Sequence, residues 1–161
     1  IIFLKEHEFA YYGEFASSFK ERQERYAELS KSIRAAEKRL SEIAVLKKHI
    51  INYSKTKDIY VAYRKSGYSK KFLAEHEADI LIHKAAKKAF DELEHEKLPS
   101  LKSLNAEYAK LLLEKKANYA EYMKLRKEVK EMLLHKQNYE YILGIEPDKD
   151  EQNTRGRSVE K

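Results

Sequence analysis

Between Phe19 and Ile50 the chain has little freedom to be anything but a long amphipathic helix. Phe19, Tyr26, Ile33 and Leu40 alternate with Leu29, Ala36 and Ile43 at spacings of three and four. On a helix this draws an apolar stripe along one side, repeating every ~3.5 residues. The other positions are crowded with charge, as in Lys20-Glu21-Arg22-Gln23-Glu24-Arg25. A helix with one such stripe cannot bury it alone, so the seam demands a partner.

A matching seam returns after Leu101. Leu101, Leu104, Tyr108 and Leu111 are followed by Tyr122, Leu125, Val129, Met132, Tyr139 and Leu143. Lys115 and Asn118 are polar interruptions of this second seam, and Lys47 interrupts the first. Polar seam residues fix register at some cost in stability. The joining segment, about 50 residues, is ample to reverse the chain. The expected fold is all-α: a long antiparallel coiled-coil helical hairpin with a small helical tip. Each arm would hold roughly 40 residues and span about 60 Å at 1.5 Å per residue. Closure within one chain has the higher effective concentration, and a homodimer that swaps arms uses the same seams.

Composition agrees with long solvated helices. Hydrophobic residues make up 42% of the 161 positions and charged residues 37%, with only 4 Gly and 2 Pro. The absence of cysteine excludes disulfides and thiolate metal sites. The apolar runs are too short for a membrane span, and no signal-peptide pattern follows the first residue, Ile1. The expectation is a cytoplasmic location and an internal or C-terminal piece of a larger protein. The net charge of +6 comes from 33 basic against 27 acidic residues, so the distribution of charge is more telling than its sum.

Five segments are expected along the chain. Residues 1–12 read as a remnant of upstream sequence, in which Ile2, Phe3 and Phe9 would pack at the base of the hairpin. Gly13 reads as a break, and 13–54 as the first coiled-coil arm. Near Thr56 two continuations stay open: a new helix capped by Thr56, or an unbroken first arm. Gly67 reads as a left-handed helix stop. Ser69 would cap one further helix from Lys70 to about Leu93, with the stripe Phe72, His76, Ile80, His83, Ala86, Phe90, Leu93. Pro99 breaks the chain, and Ser100 caps the second arm, 100–144, which Gly144 ends. The charged segment 145–161 is expected to be a disordered tail.

The tip, 55–99, holds the concentrated basic charge. From Lys55 to Lys71 lie Lys55, Lys57, Arg64, Lys65, Lys70 and Lys71 against a single acid, Asp58, with Tyr60, Tyr63 and Tyr68 interleaved. These nine cationic and aromatic residues are the candidate nucleic-acid-binding set: cations for phosphates, rings for bases. The plainer alternative makes Tyr60 and Tyr63 helical core and leaves the lysines to solvate the surface.

Four stretches carry a family resemblance. They are Ile33-Arg-Ala-Ala-Glu-Lys-Arg-Leu-Ser-Glu-Ile43, Tyr63-Arg-Lys-Ser-Gly-Tyr-Ser-Lys-Lys-Phe72, His83-Lys-Ala-Ala-Lys-Lys-Ala-Phe-Asp-Glu-Leu93 and Leu98-Pro-Ser-Leu-Lys-Ser-Leu104. In this order and spacing the chain, from about Ile1 to Ile145, resembles the C-terminal helical region of relaxases, the mobilisation nucleases of bacterial conjugative elements. The resemblance implies that a full-length parent nicks DNA with a tyrosine nucleophile and a histidine-held metal in an N-terminal domain, and pilots the strand during transfer. This chain lacks that histidine-rich motif, so no catalytic residue carries over and no cofactor is expected in it. Implied partners are DNA and the accessory or coupling proteins of the relaxosome.

No other constellation of residues competes. His76 and His83 share a helix face with Asp79 between them, but residues seven apart stand about 10 Å apart along a helix axis, too far to share one metal. Their place in an apolar stripe suits neutral, hydrogen-bonded rings. His7, His49, His95 and His135 form no pattern. The pairs Tyr11/Tyr12 and Tyr139/Tyr141 have no adjacent base or oxyanion donor, and no phosphate-binding glycine loop occurs.

Overall fold

The computed structural model of the chain describes residues 2–93 and 97–147, with backbone alone for 2–9. It is all-α: α1 (Ile2–Lys65), α2 (Lys70–Glu75), α3 (Glu77–Asp91) and α4 (Leu101–Leu143), with no strand among the described residues. Of the tail expected to be disordered, 145–161, residues 148–161 lie outside the described residues, as do the side chains of Ile2, Phe3 and Phe9.

The first helix is longer than its expected arm. Gly13 does not break it, and neither does the stretch around Thr56. A single interior glycine costs a helix about 1 kcal/mol relative to alanine, which 64 proline-free residues absorb. Thr56 is not a cap. Its hydroxyl donates to the carbonyl of Asn52, one turn back, at 2.7 Å, so its side chain is satisfied inside the helix.

Helix ends follow the local chemistry. Past α1, Gly67 N–H bonds Arg64 O at 3.1 Å and Tyr68 N–H bonds Tyr63 O at 3.2 Å. That pair is a Schellman stop, with Gly67 at φ +68°. α4 ends likewise: Gly144 stands at φ +66° and Ile145 N–H reaches Glu140 O at 2.9 Å. Ser69 and Ser100 cap α2 and α4 by accepting from Phe72 N–H and Ser103 N–H.

One helix was expected from Lys70 to about Leu93, and two are observed. His76, at φ −127° and ψ 26°, ends α2 and begins α3. The break lets Phe72 stack on Tyr63 while His83 enters between Tyr53 and Tyr60. Tertiary packing here outweighs the continuity that the stripe alone suggests.

The chain divides into two compact units, Ile1–Ile33 with Ala117–Lys161, and Arg34–Lys116. In the first, Phe19 and Leu29 are fully buried. Tyr26 stacks on Tyr122 at 4.8 Å, and their hydroxyls meet at 3.0 Å. Arg25 holds both oxygens of Glu121 at 2.9 Å, Arg22 reaches Glu128 at 3.3 Å, and Tyr12 donates to Glu140 at 3.0 Å. From Tyr12–Glu140 through Arg22–Glu128 to Tyr26–Tyr122, partner numbers on α4 fall as those on α1 rise. Lys136, which extends the second seam by a heptad but was not singled out in the sequence, is only 7% exposed and pairs with Glu140, itself 4% exposed.

In the second unit, Leu40, Ile43, Ile80, Ala86 and Leu104 form the buried core. Pairing again runs in inverted order. Lys115 bonds Glu37 at 3.1 Å, and Arg39 grips Glu107 through two bonds of 2.7 and 3.1 Å. The seam lysine Lys47 lies over the Tyr108 ring at 5.6 Å. Two of the polar seam positions thus have an ion pair or a ring as partner.

Candidate nucleic-acid interface

The nine residues singled out at the tip all lie in the second unit, and the structure separates them by role. Tyr63 is buried at 6% exposure. It packs against Phe72 at 6.2 Å, and Lys84 Nζ approaches its ring at 6.0 Å. Tyr60 is half-buried, with its ring stacked on His83 at 4.4 Å. Tyr63 is core and offers no face to a ligand, as the plainer alternative has it; Tyr60 stays half-buried, with His83 stacked on its ring. Tyr68 is different: 57% of it is exposed.

The centre of this core is His83, 3% exposed. Its ring lies between Tyr53, at 4.5 Å, and Tyr60, and its Nδ1 is 3.0 Å from Thr56 Oγ1. Thr56 has one hydroxyl proton and gives it to Asn52 O. The ring nitrogen is therefore the donor, which assigns neutral His83 to the Nδ1–H tautomer. Burial, and secondarily the charge of Lys87, push the His83 pKa below its ordinary value. Among the described residues no group of three or more His, Asp or Glu could hold a metal. The sequence placed His83 in an apolar stripe but gave no sign that Thr56 was its partner, because the two stand 27 positions apart.

All six cations of the candidate set are exposed. None of them makes an ion pair among the described residues, whereas Arg22, Arg25, Arg39 and Lys115 all do. Helical geometry sorts them further. Around the α1 axis, Arg64 falls about 20° from Lys57 and Lys65 about 80°, so the three share one flank; Lys55 is about 160° away and faces elsewhere. Lys70 and Lys71 follow immediately after the turn, at the start of α2. Val61, Arg64, Lys65 and Tyr68 line a shallow hollow of about 470 Å³.

The cluster is thus a predominantly cationic flank, with Asp58 its one acid on α1, beside one exposed ring. It can attract phosphates electrostatically. No helix among the described residues is long and apolar enough to cross a membrane. Comparison of the chain with protein-family models, curated proteins and solved structures finds no match.

Proposed function

We propose that the chain is a non-catalytic helical module that contacts DNA through the flank formed by Lys57, Arg64, Lys65, Tyr68, Lys70 and Lys71. The observation that carries this reading is the clustering of five exposed cations, none of them in an ion pair among the described residues, beside the exposed ring of Tyr68. The reading fits the resemblance to the C-terminal region of conjugative relaxases, a setting in which such a module would act in the cytoplasm, assisting DNA transfer or docking to relaxosome proteins. Within each unit, the inverted order of pairing between α1 and α4 supports an antiparallel coiled coil as the scaffold.

Binding of the purified chain to short DNA, followed by fluorescence anisotropy across a salt series, tests the proposal. Micromolar affinity that weakens steeply with salt is expected. Replacing the five flank cations by glutamine should flatten that dependence by about one unit of slope for each phosphate no longer neutralised. Absence of binding at low salt overturns it.

A second reading, a protein-interaction or dimerisation module, draws on one observation. In the first unit, α4 exposes Tyr119, Met123, Leu134, Tyr141 and Ile142. Isolated exposed apolar residues are ordinary, but a row of them marks an interaction surface. Sedimentation mass that rises with concentration, with no DNA binding, would favour this reading.

A further inference from the structure

Tyr68 occupies a backbone conformation that tyrosine disfavours. It stands at φ +60°, directly after Gly67 at φ +68°. A side chain in this left-handed region is strained, and glycine or asparagine would relax it. Nor does the ring contribute much to the core, since most of it is exposed. An edge-to-face meeting with Tyr63, at 5.3 Å and 86°, holds it in place. The turn therefore displays an orientated aromatic surface, backed by a buried ring, between Arg64 and Lys65 on one side and Lys70 and Lys71 on the other.

We infer that this turn is a stacking platform for an unpaired nucleobase, so that the module prefers single-stranded to duplex DNA. The inference rests on the DNA-binding reading above and adds strandedness to it. Phosphate contacts alone hold both forms. In a duplex the π-face of each base is covered by its neighbours, whereas a single strand can lay a base on an exposed ring. The shallow hollow beside Tyr68 is lined by Arg64 and Lys65, the cations that flanking phosphates would meet. Tyr63 cannot share the task because it is buried, and Tyr60 is half-buried with its ring stacked on His83.

The test compares three labelled DNA probes of equal length and sequence: a single strand, its duplex, and a single strand in which abasic sites replace the central nucleotides. The full chain is titrated with each, as wild type, Tyr68→Phe, Tyr68→Asn and the five-glutamine flank variant. Asparagine tolerates the left-handed backbone, so Tyr68→Asn should keep the fold, checked by circular dichroism. Expected are single-strand affinity about tenfold or more above duplex, a similar loss on Tyr68→Asn or on removal of the bases, and retention with Tyr68→Phe. Equal binding of single strand and duplex, or equal effects of Tyr68→Asn on both, overturns the stacking platform while leaving the cationic flank standing. Failure of the DNA-binding reading itself would show differently, as no salt-dependent binding to any probe or no effect of the flank variant.

Discussion

Thr56 Oγ1 and His83 Nδ1 meet at 3.0 Å in the interior of the second unit, joining α1 to α3 through a hydrogen bond shielded by the Tyr53 and Tyr60 rings. A buried donor and its acceptor are each expensive to leave without the other. Thr56→Val keeps the shape and removes the acceptor, so it should cost about 1–3 kcal/mol, whereas Thr56→Ser should cost much less. Urea denaturation of the two variants measures the difference.

The same histidine predicts a pH dependence. Its folded pKa is lowered, so the unfolded chain takes up the proton first as pH falls. The stability His83 provides is fully present above the unfolded value near 6.5 and is lost as pH drops from there toward the folded value. Unfolding free energy measured from pH 7.5 to 5 should fall, and His83→Gln should flatten that part of the curve while lowering stability throughout.

Ile43 and Ile80 are fully buried, and each is expected to lose about 2–5 kcal/mol on truncation to alanine. Val45 and Leu81 lie close by in sequence but are exposed. Alanine there should change stability by about 0.5 kcal/mol or less. Thermal denaturation of the four variants compares core with surface directly.

Lys136 and Glu140 form a buried ion pair, with Tyr12 also donating to Glu140. Removing one charge leaves the other desolvated, so Lys136→Met alone should destabilise the chain by about 3 kcal/mol or more. The double variant Lys136→Met with Glu140→Leu should recover much of that loss. A double-mutant cycle in denaturant gives the coupling.

Gly67→Ala places a Cβ in the left-handed region, where no neighbour obstructs it but the backbone itself is strained. The expected cost is about 1–2 kcal/mol, read as a lower melting temperature.

What could be read in the sequence was whatever depends on neighbours along the chain. The heptads placed Phe19, Leu29, Ile43 and Leu104 in the core, and Gly67, Ser69, Ser100 and Gly144 marked helix ends, because periodicity and capping are local. The helix break at His76 escaped, since it answers to Phe72 and His83 finding rings on α1. Lys136 escaped because a lysine breaks the apolar pattern; counting seven onward from Val129 would have found its position. At the tip, composition identified the cations and periodicity offered Tyr60 and Tyr63 as core, but only the fold could decide between that reading and a binding role.

The Schellman stop at Gly67 gives the length of α1 a meaning beyond its composition. The stop is made by backbone hydrogen bonds, so it travels with the glycine wherever the glycine is placed. Each residue added or deleted between Lys65 and Gly67 would swing the turn by about 100° and move it 1.5 Å along the axis. Tyr68 would then point away from Arg64 and Lys65 though every side chain were still present. The segment should therefore accept many exchanges of one residue for another, and almost no insertion or deletion.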